Sequence, residues 1–324
     1  MHYRFMGRTG IKVSEVCLGT MTFGSGADEA ESVKIMDLAF DKGINFFDTA
    51  NVYNFGVTEE IVGRWLRGRR QEMIVATKVH FPMSNETLNA ARSTRRNIML
   101  SVEESLRRLQ TDWVDILYLH HWDDTTALDE SLAAMTTLVE QGKVMYCGVS
   151  NFAAWQVMKA CGLAALKGFA PVSCLQPMYN LVKRQAEVEL LPMAQSEKIA
   201  VFPYSPQAGG LLSGKYQRGE EGRLKESKLY IERYRDKECM AVSDRFVVYA
   251  REHDWSPVAL AVAWVGAHPA VTAPIIGARS LAQLEEGLGC LDIEITDELW
   301  QEIGDLSPEP PLATDRAEEK KGRV

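Results

Sequence analysis

Short apolar runs alternate with amphipathic segments along most of the chain. Between the runs, apolar residues recur at helical spacing, as Val102, Leu106 and Leu109 do. Continuous apolar strands separated by amphipathic helices are typical of a parallel sheet covered by helices. The pattern therefore predicts an α/β protein with eight strands, which are the runs at 16–18, 45–47, 74–77, 116–119, 144–149, 172–175, 200–203 and 272–276.

The spacing of these strands favours one architecture. The first small or polar residues at their ends lie 26 to 42 residues apart, except for a last interval of 72 (276 − 204). Eight such strand–helix units predict a single (β/α)8 TIM barrel with an extended loop after the seventh strand, in the charged stretch 208–240. The alternative is a doubly wound open sheet, which favours Gly-x-Gly-x-x-Gly after the first strand, whereas residues 18–24 read LGTMTFG.

Both ends of the chain carry additions to the barrel. Residues 3–5 and 12–14 flank the turn sequence GRTG, which predicts an N-terminal β-hairpin that plugs the bottom of the barrel. The barrel domain is expected to cover 1–307. Residues 308–324 are rich in proline and charge, so we expect a mobile C-terminal tail there.

Composition narrows the class of partner. The 324 residues carry a net charge of −8, which argues against general binding to nucleic acid or anionic membranes. No apolar run approaches the roughly 20 residues of a membrane span. Six scattered cysteines indicate reduced thiols and a cytoplasmic location. The adjacent His120 and His121 would point to opposite faces of a strand, so no metal site is expected.

The candidate chemistry lies where strands end. Asp48, Lys78 and His120 directly follow or complete apolar runs, and Tyr53 lies five residues past Asp48. In a barrel these ends meet at one mouth, where active sites are found. An unperturbed tyrosine has a pKa of about 10, and a nearby Lys78 cation should lower it, which would make Tyr53 a usable proton donor. With His120 orienting a carbonyl oxygen, such a site suits carbonyl reduction, and the hydride must come from a nicotinamide cofactor.

At this point the sequence resembles the aldo-keto reductases, in particular the long-loop branch that also contains the potassium-channel β subunits. The motifs that carry the resemblance are NFFDTANVY at 45–53, IVATK at 74–78, DILYLH at 115–120, GVSNF at 148–152, LQPMYN at 175–180, YSP at 204–206 and IGARS at 276–280. The resemblance runs from the N-terminal hairpin to about residue 306. It implies a barrel that binds NADP(H), with NAD(H) as the alternative, and a catalytic tetrad of Asp48, Tyr53, Lys78 and His120.

The same resemblance implies a cofactor site around the mouth. Ser150, Asn151 and Gln176 would hydrogen-bond the nicotinamide carboxamide, and Tyr204 would stack on its ring. Arg279 would face the adenosine 2′-phosphate, and Lys215 the pyrophosphate. The remaining expected cofactor contacts are Gly19, Thr20, Met21, Asp48, Ser205, Gln207, Gly209, Leu211, Gly214, Ile276, Gly277, Gln283 and Glu286.

The substrate is expected to be a small carbonyl compound. Phe23, Phe81 and Trp122 should line its pocket beside Tyr53 and His120, giving an apolar rim around a polar centre. Such a rim suits aromatic or medium-chain aldehydes and ketones. The oligomeric state and the physiological substrate are not predicted by the sequence.

Three other functions compete with carbonyl reduction. The first is an NTPase, because residues 209–215 fit the start of a P-loop. However, a P-loop has Ser or Thr at the next position to bind Mg²⁺, and this chain has Tyr216 there. A cofactor-binding partner protein on the same barrel, like the potassium-channel β subunits, is the main alternative. A non-redox lyase or isomerase barrel would leave the set Ser150, Asn151 and Gln176 unexplained.

Overall fold

Eight parallel strands form the centre of the molecule. The computed structural model describes residues 1–84, 87–314 and 316. A two-stranded antiparallel hairpin, β1 (Tyr3–Phe5) and β2 (Lys12–Ser14), precedes the sheet. The sheet strands follow in chain order as β3 (Cys17–Gly19), β4 (Phe46–Asp48), β5 (Ile74–Val79), β6 (Val114–Leu119), β7 (Val144–Ser150), β8 (Val172–Gln176), β9 (Ala200–Val201) and β10 (Ile275–Gly277).

The sheet curls into a barrel because its first and last strands meet. Within it each strand pairs with the next in sequence, and β10 pairs with β3, with Ile275 opposite Cys17. The remaining gap is bridged by a parallel pair between Tyr204 and Ile275, and Ile275 N donates to Pro203 O at 2.9 Å. The predicted (β/α)8 barrel and N-terminal hairpin are confirmed, and the open-sheet alternative is wrong.

Helices cover the outside of the barrel, and several begin at residues whose side chains cap them. Asp28, Thr94 and Ser256, for example, each accept a hydrogen bond from a backbone N–H of the first turn. The helices are α1 (Glu29–Asp41), α2 (Val57–Trp65), α3 (Arg95–Leu109), α4 (Leu128–Glu140), α5 (Ala154–Lys167), α6 (Leu190–Glu197), α7 (Arg223–Glu226), α8 (Lys228–Tyr234), α9 (Lys237–Glu252), α10 (Pro257–Ala267), α11 (Leu281–Leu288) and α12 (Asp297–Gly304).

The hairpin closes the N-terminal end of the barrel. Met6 and Val13 are fully buried and pack with the inward-facing side chains of the strands. The turn fits tightly, since a Cβ on Gly7, at φ +53°, would lie 2.6 Å from Lys198 O. With this end filled by apolar side chains, the opposite end remains as the barrel's open mouth.

The long segment after β9 folds over that mouth. It starts with a 3-10 stretch, Ala208–Ser213, whose Leu211 and Leu212 are fully buried. α7 and α8 follow, and Tyr230 and Tyr234 on α8 are buried. The predicted excursion at 208–240 is therefore a folded cover tied to the barrel by aromatic side chains.

The C-terminal tail, the cysteine side chains and the helices each bear on an expectation drawn from the sequence. The expected mobile tail at 308–324 lies mostly outside the described residues, and within its described part Leu312 is buried. All six cysteines carry free thiols. Among the described residues, no helix has the length and apolar character needed to cross a bilayer.

Candidate active site

Lys78 lies at the centre of the site. Its ammonium group donates to Asp48 Oδ2 at 2.6 Å, to Thr49 O at 2.8 Å and to the Tyr53 hydroxyl oxygen at 3.1 Å. The side chain is fully buried, with 0% exposure. Since an ammonium group has three N–H donors, all of them are satisfied. The Tyr53 oxygen accepts from Lys78, so its own proton remains free to be donated elsewhere.

Local sequence explains how Tyr53 reaches this position. Phe46 and Phe47 bury β4 on both faces, which places Asp48 at the rim. The chain then turns through Asn54 and Phe55, both in left-handed conformations at φ 47° and 50°. Asn54 Nδ2 donates to Gly24 O at 2.7 Å and so holds the turn. Asparagine tolerates this region better than most side chains.

Gln176 has a role that sequence reasoning missed. It was expected only as a cofactor contact, but its Nε2 donates to Asp48 Oδ1 at 2.8 Å. Asp48 therefore has one oxygen on Lys78 and the other on Gln176, and it is only 3% exposed. A carboxylate bound at both oxygens cannot rotate freely, so the position of the Lys78 ammonium is fixed as well.

The pKa of Tyr53 differs from the expectation. Burial raises the pKa of its hydroxyl, and although Lys78 acts in the lowering direction, the net shift is upward from 10.0. The expectation of a lowered pKa was wrong because it counted the cation and not the burial of the ring. Burial lowers the pKa of Lys78, but the charges of Asp48 and Tyr53 outweigh it, so Lys78 stays protonated.

His120 follows β6 and faces Tyr53. The two ring centres are 6.0 Å apart at an angle of 77°, and Phe81 lies 5.0 Å away on another side. Burial and the Lys78 charge hold the pKa of His120 well below its usual range, so the imidazole is neutral. Its Nδ1 is buried without a partner among the described residues.

A chain of polar contacts continues from His120 along the rim. Asn151 Nδ2 donates to His120 O at 2.9 Å and to Ser150 Oγ at 3.1 Å, and the Tyr204 hydroxyl donates to Asn151 Oδ1 at 2.7 Å. Asn151 adopts φ 58°, which turns its side chain off the strand line. Tyr204 follows β9, the seventh strand of the barrel, and lines the cavity at the mouth, as predicted.

These groups open onto a cavity of about 870 Å³. Most predicted residues line it, namely Gly19, Thr20, Met21, Asp48, Tyr53, Phe81, His120, Ser150, Asn151, Gln176, Tyr204, Ser205, Gln207, Gly209, Lys215, Ile276, Gly277, Arg279, Gln283 and Glu286. Lys78 lies behind this wall, in contact with Asp48 and Tyr53. Leu211 and Gly214 do not line the cavity and are buried in the cover.

Two residues predicted for the substrate pocket lie elsewhere. Phe23 is fully buried in the layer between strands and helices, where its carbonyl accepts from Thr58 Oγ1. Trp122 packs edge-on against Phe152 and Trp155, and its indole N–H donates to Asp124. The structure therefore does not support their placement in the pocket wall. Sequence position after a strand was the only guide to them, and it does not fix the direction of a loop side chain.

The excursion after residue 215 was expected to line the pocket, but the sequence does not show which of its side chains do so. Arg218, Arg223, Tyr230, Arg233 and Arg251 all line the same cavity. They come from the charged stretch after residue 215 and from α9. A charge-rich stretch is usually a solvated surface, so nothing in its pattern indicated which side chains turn inward.

The cavity is strongly cationic at one end. Burial lowers the pKa of Lys215, and the nearby charges of Arg279 and Arg223 lower it further. Arg279 lies 3.7 Å from Glu226, and its backbone N–H donates to Gln283 Oε1 at 2.9 Å. It precedes Ser280, the N-cap of α11. Clustered cations beside a helix N-terminus suit a polyanionic ligand such as a phosphorylated nucleotide.

A (β/α)8 barrel with Asp48, Tyr53, Lys78 and His120 beside a cavity that basic side chains line is the arrangement expected of a barrel oxidoreductase. A model described as "Aldo/keto reductase family" matches residues 15–308. The chain belongs to the aldo/keto reductase family, as the sequence resemblance implied. Proteins of this family generally use nicotinamide cofactors to reduce carbonyl groups.

Curated relatives align over nearly the whole chain. An uncharacterised oxidoreductase, YrpG, of Bacillus subtilis (strain 168) is 40% identical over 98% of this chain and 99% of its own. Norsolorinic acid reductase A of Aspergillus parasiticus is 33% identical, with 92% and 79% covered. A probable voltage-gated potassium channel subunit beta of Arabidopsis thaliana is 32% identical, with 90% and 92% covered.

Proposed function

We propose that this protein reduces small aldehydes or ketones to alcohols with NADP(H), and that Tyr53 is the proton donor. The observation that carries the proposal is the buried Lys78 ammonium, which touches both Asp48 and the Tyr53 oxygen at the wall of an open cavity. This arrangement leaves the Tyr53 proton available at a point that a substrate can reach. We also propose a cytoplasmic location, which the six free cysteines support.

The cavity residues fit a dinucleotide that carries an extra phosphate. Lys215, Arg223 and Arg279 would hold phosphates: all three line the cavity, and the charges of Arg279 and Arg223 lower the pKa of Lys215, which shows that these cations lie close together. Ser150, Asn151 and Gln176 supply hydrogen-bonding groups for a carboxamide, and the Tyr204 ring offers a flat surface for the nicotinamide. When bound, the reduced cofactor supplies the hydride, which no side chain can provide.

Tyr53, Lys78, Asp48 and His120 have different parts in the proton transfer. The carbonyl carbon gains the hydride, and the carbonyl oxygen gains the Tyr53 proton. Lys78 stabilises the phenolate that forms, and Asp48 holds Lys78 in place. The neutral His120 imidazole can donate a hydrogen bond to the carbonyl oxygen and orient it toward Tyr53. Solvent finally restores the proton on Tyr53.

A cofactor-consumption screen tests the proposal. The purified protein is mixed with NADPH and a panel of aldehydes and ketones, and loss of cofactor absorbance is followed, then repeated with NADH. We expect turnover of at least one carbonyl with NADPH, and little or none by the Tyr53→Phe variant. NADPH binding without turnover of any carbonyl would instead favour a partner protein on the same barrel.

A further inference from the structure

One cation of the cavity, Arg233, lies over the ring of Tyr204. Arg233 lies on α8, and its guanidinium carbon is 5.8 Å from the centre of the Tyr204 ring and 5.2 Å from that of Tyr230. Tyr204 hydrogen-bonds Asn151, which in turn bonds the His120 backbone. Arg233 is therefore next to the residues of the catalytic end of the cavity.

The charge of Arg233 acts on a different side chain from the charges of Arg223 and Arg279. Burial raises the pKa of Tyr204, and the Arg233 charge acts in the opposite direction. By contrast, the cations that act on Lys215 are Arg279 and Arg223. Arg233 thus acts on Tyr204, whereas Arg223 and Arg279 act on Lys215. The two groups of cations meet at Tyr230, because Arg223 also lies 5.2 Å from the centre of that ring and donates to its hydroxyl oxygen at 3.2 Å.

Arg233 has no anionic partner within the described part of the chain. The neighbouring Glu232 pairs with Arg235 at 3.2 Å, on the exposed side of α8. The acids that line the cavity are also engaged. Glu220 bonds Arg218, Glu221 pairs with Lys225 and Glu286 bonds Ser256. A half-buried guanidinium that lies against two aromatic rings and has no ion pair among the described residues retains its donors for a ligand.

The support beneath Arg233 is tightly packed. The Tyr230 ring is 8% exposed and lies against Gly209, where an added Cβ would be 2.6 Å from the ring. Gly209 adopts φ +68°, a conformation that other residues rarely take. One turn of α8 carries both Tyr230 and Arg233, so the buried ring fixes the part of the helix from which Arg233 projects.

We propose that Arg233 binds an anionic group on the substrate, so that the enzyme prefers carbonyl compounds that also carry a carboxylate. This rests on the proposed function and specifies its substrate class. The carbonyl would lie between Tyr53 and His120, and the carboxylate would be held by the Arg233 guanidinium among the Tyr204 and Tyr230 rings. A planar guanidinium binds a carboxylate through two parallel hydrogen bonds, which orient as well as attract.

A matched pair of aldehydes tests this assignment. 4-Carboxybenzaldehyde and its methyl ester, methyl 4-formylbenzoate, differ in one charge, and kcat/KM is measured for both with saturating NADPH. We expect the wild type to prefer the acid by at least about tenfold, the scale of hydrogen bonds to a charged group. Arg233→Gln should remove that preference, because kcat/KM should fall about tenfold more for the acid than for the ester. Arg233→Lys should retain part of it.

Controls keep the outcomes distinct. Arg235→Gln, at the residue that follows α8 and pairs outward with Glu232, should retain the preference. Melting temperature and NADPH affinity are measured for each variant. Equal use of the two aldehydes by the wild type, or an Arg233→Gln loss that falls equally on both substrates or on NADPH affinity, overturns the inference alone. Reduction of neither aldehyde, nor of any carbonyl in the panel, overturns the proposed function and this inference with it.

Discussion

The two ends of the cavity differ in how their basic side chains are surrounded. At the catalytic end, the Lys78 ammonium is fully buried and all three of its donors are satisfied by Asp48, Thr49 and Tyr53. At the end that we propose binds phosphates, Lys215 and Arg279 are partly exposed and carry like charges. The polar groups of the first end are satisfied within the folded chain, whereas the basic side chains of the second are, in our proposal, held for an anion. Substitutions should therefore cost stability at one end and ligand affinity at the other.

Lys78→Met should have the largest effect. It leaves the Asp48 carboxylate buried without its cation, which should destabilise the fold by about 3–5 kcal/mol and reduce carbonyl reduction strongly. Denaturant unfolding and single-turnover reduction measure the two losses. Because Asp48 and Lys78 act together, the double variant Asp48→Asn/Lys78→Met should be little worse in activity than Lys78→Met. Fully additive losses would show that the two residues act separately.

The same substitution has a defined effect on pH dependence. Alcohol oxidation requires the Tyr53 phenolate, so its rate rises as the pH passes through the pKa of Tyr53. Burial already raises that pKa and Lys78 opposes the rise, so Lys78→Met should move the basic limb to higher pH. Reduction requires protonated Tyr53 and should stay level through neutral pH. An oxidation profile that Lys78→Met does not move would exclude Lys78 from proton transfer.

Tyr53→Phe should affect chemistry without affecting the fold. It retains the ring and removes only the transferable proton, so we expect a loss of at least about 10²-fold in kcat, on the usual scale of general acid catalysis. NADPH affinity, measured by fluorescence titration, should be nearly unchanged. Reduction of aldehydes at the wild-type rate would place the proton donor elsewhere.

Gln176→Met tests how much the hydrogen bond from Gln176 to Asp48 contributes to stability. It keeps the size of the side chain but leaves Asp48 Oδ1 without its donor. Because a hydrogen bond to a charged group contributes about 1.5–3 kcal/mol, the free energy of unfolding should fall by that amount. Gln283→Met, at the phosphate end and on an exposed helix start, serves as the comparison and should cost much less. Equal losses would mean that Gln176 has no special part in holding Asp48.

Arg279→Ala should give the smallest change, and one confined to ligand binding. NADPH affinity should fall by about tenfold, as expected for loss of a charge-assisted contact, whereas NADH affinity should change little. Thermal stability should be nearly unchanged, because the Arg279 contact to Glu226 is long and exposed. Equal weakening of both cofactors would indicate that Arg279 has a structural role.

The two ends also differ in how far the sequence predicts them. Asp48 and Lys78 are predicted from strand ends, because parallel strands bring those ends to one rim whatever the loops do. Tyr53 lies five residues past β4, so its position also depends on the turn at Asn54 and Phe55. The upward shift in the pKa of Tyr53 depends on burial of the ring in the folded molecule, which no local sequence pattern reports. Tyr230 and Arg233 turn inward from a stretch whose composition indicates a solvated surface. Phe23 and Trp122 were misplaced for the same reason, since loop directions depend on tertiary packing.

The pairing of β3 with β10 sets the order in which the molecule can be assembled. Cys17 lies opposite Ile275, so this ladder joins residues separated by almost the full length of the barrel sequence. Contacts between such distant residues carry a high entropic cost and make folding slow. During synthesis one edge of β3 therefore stays unpaired until the last strand leaves the ribosome. An unpaired strand edge can pair with another chain, so we expect the hairpin and the early helices to limit aggregation at this stage.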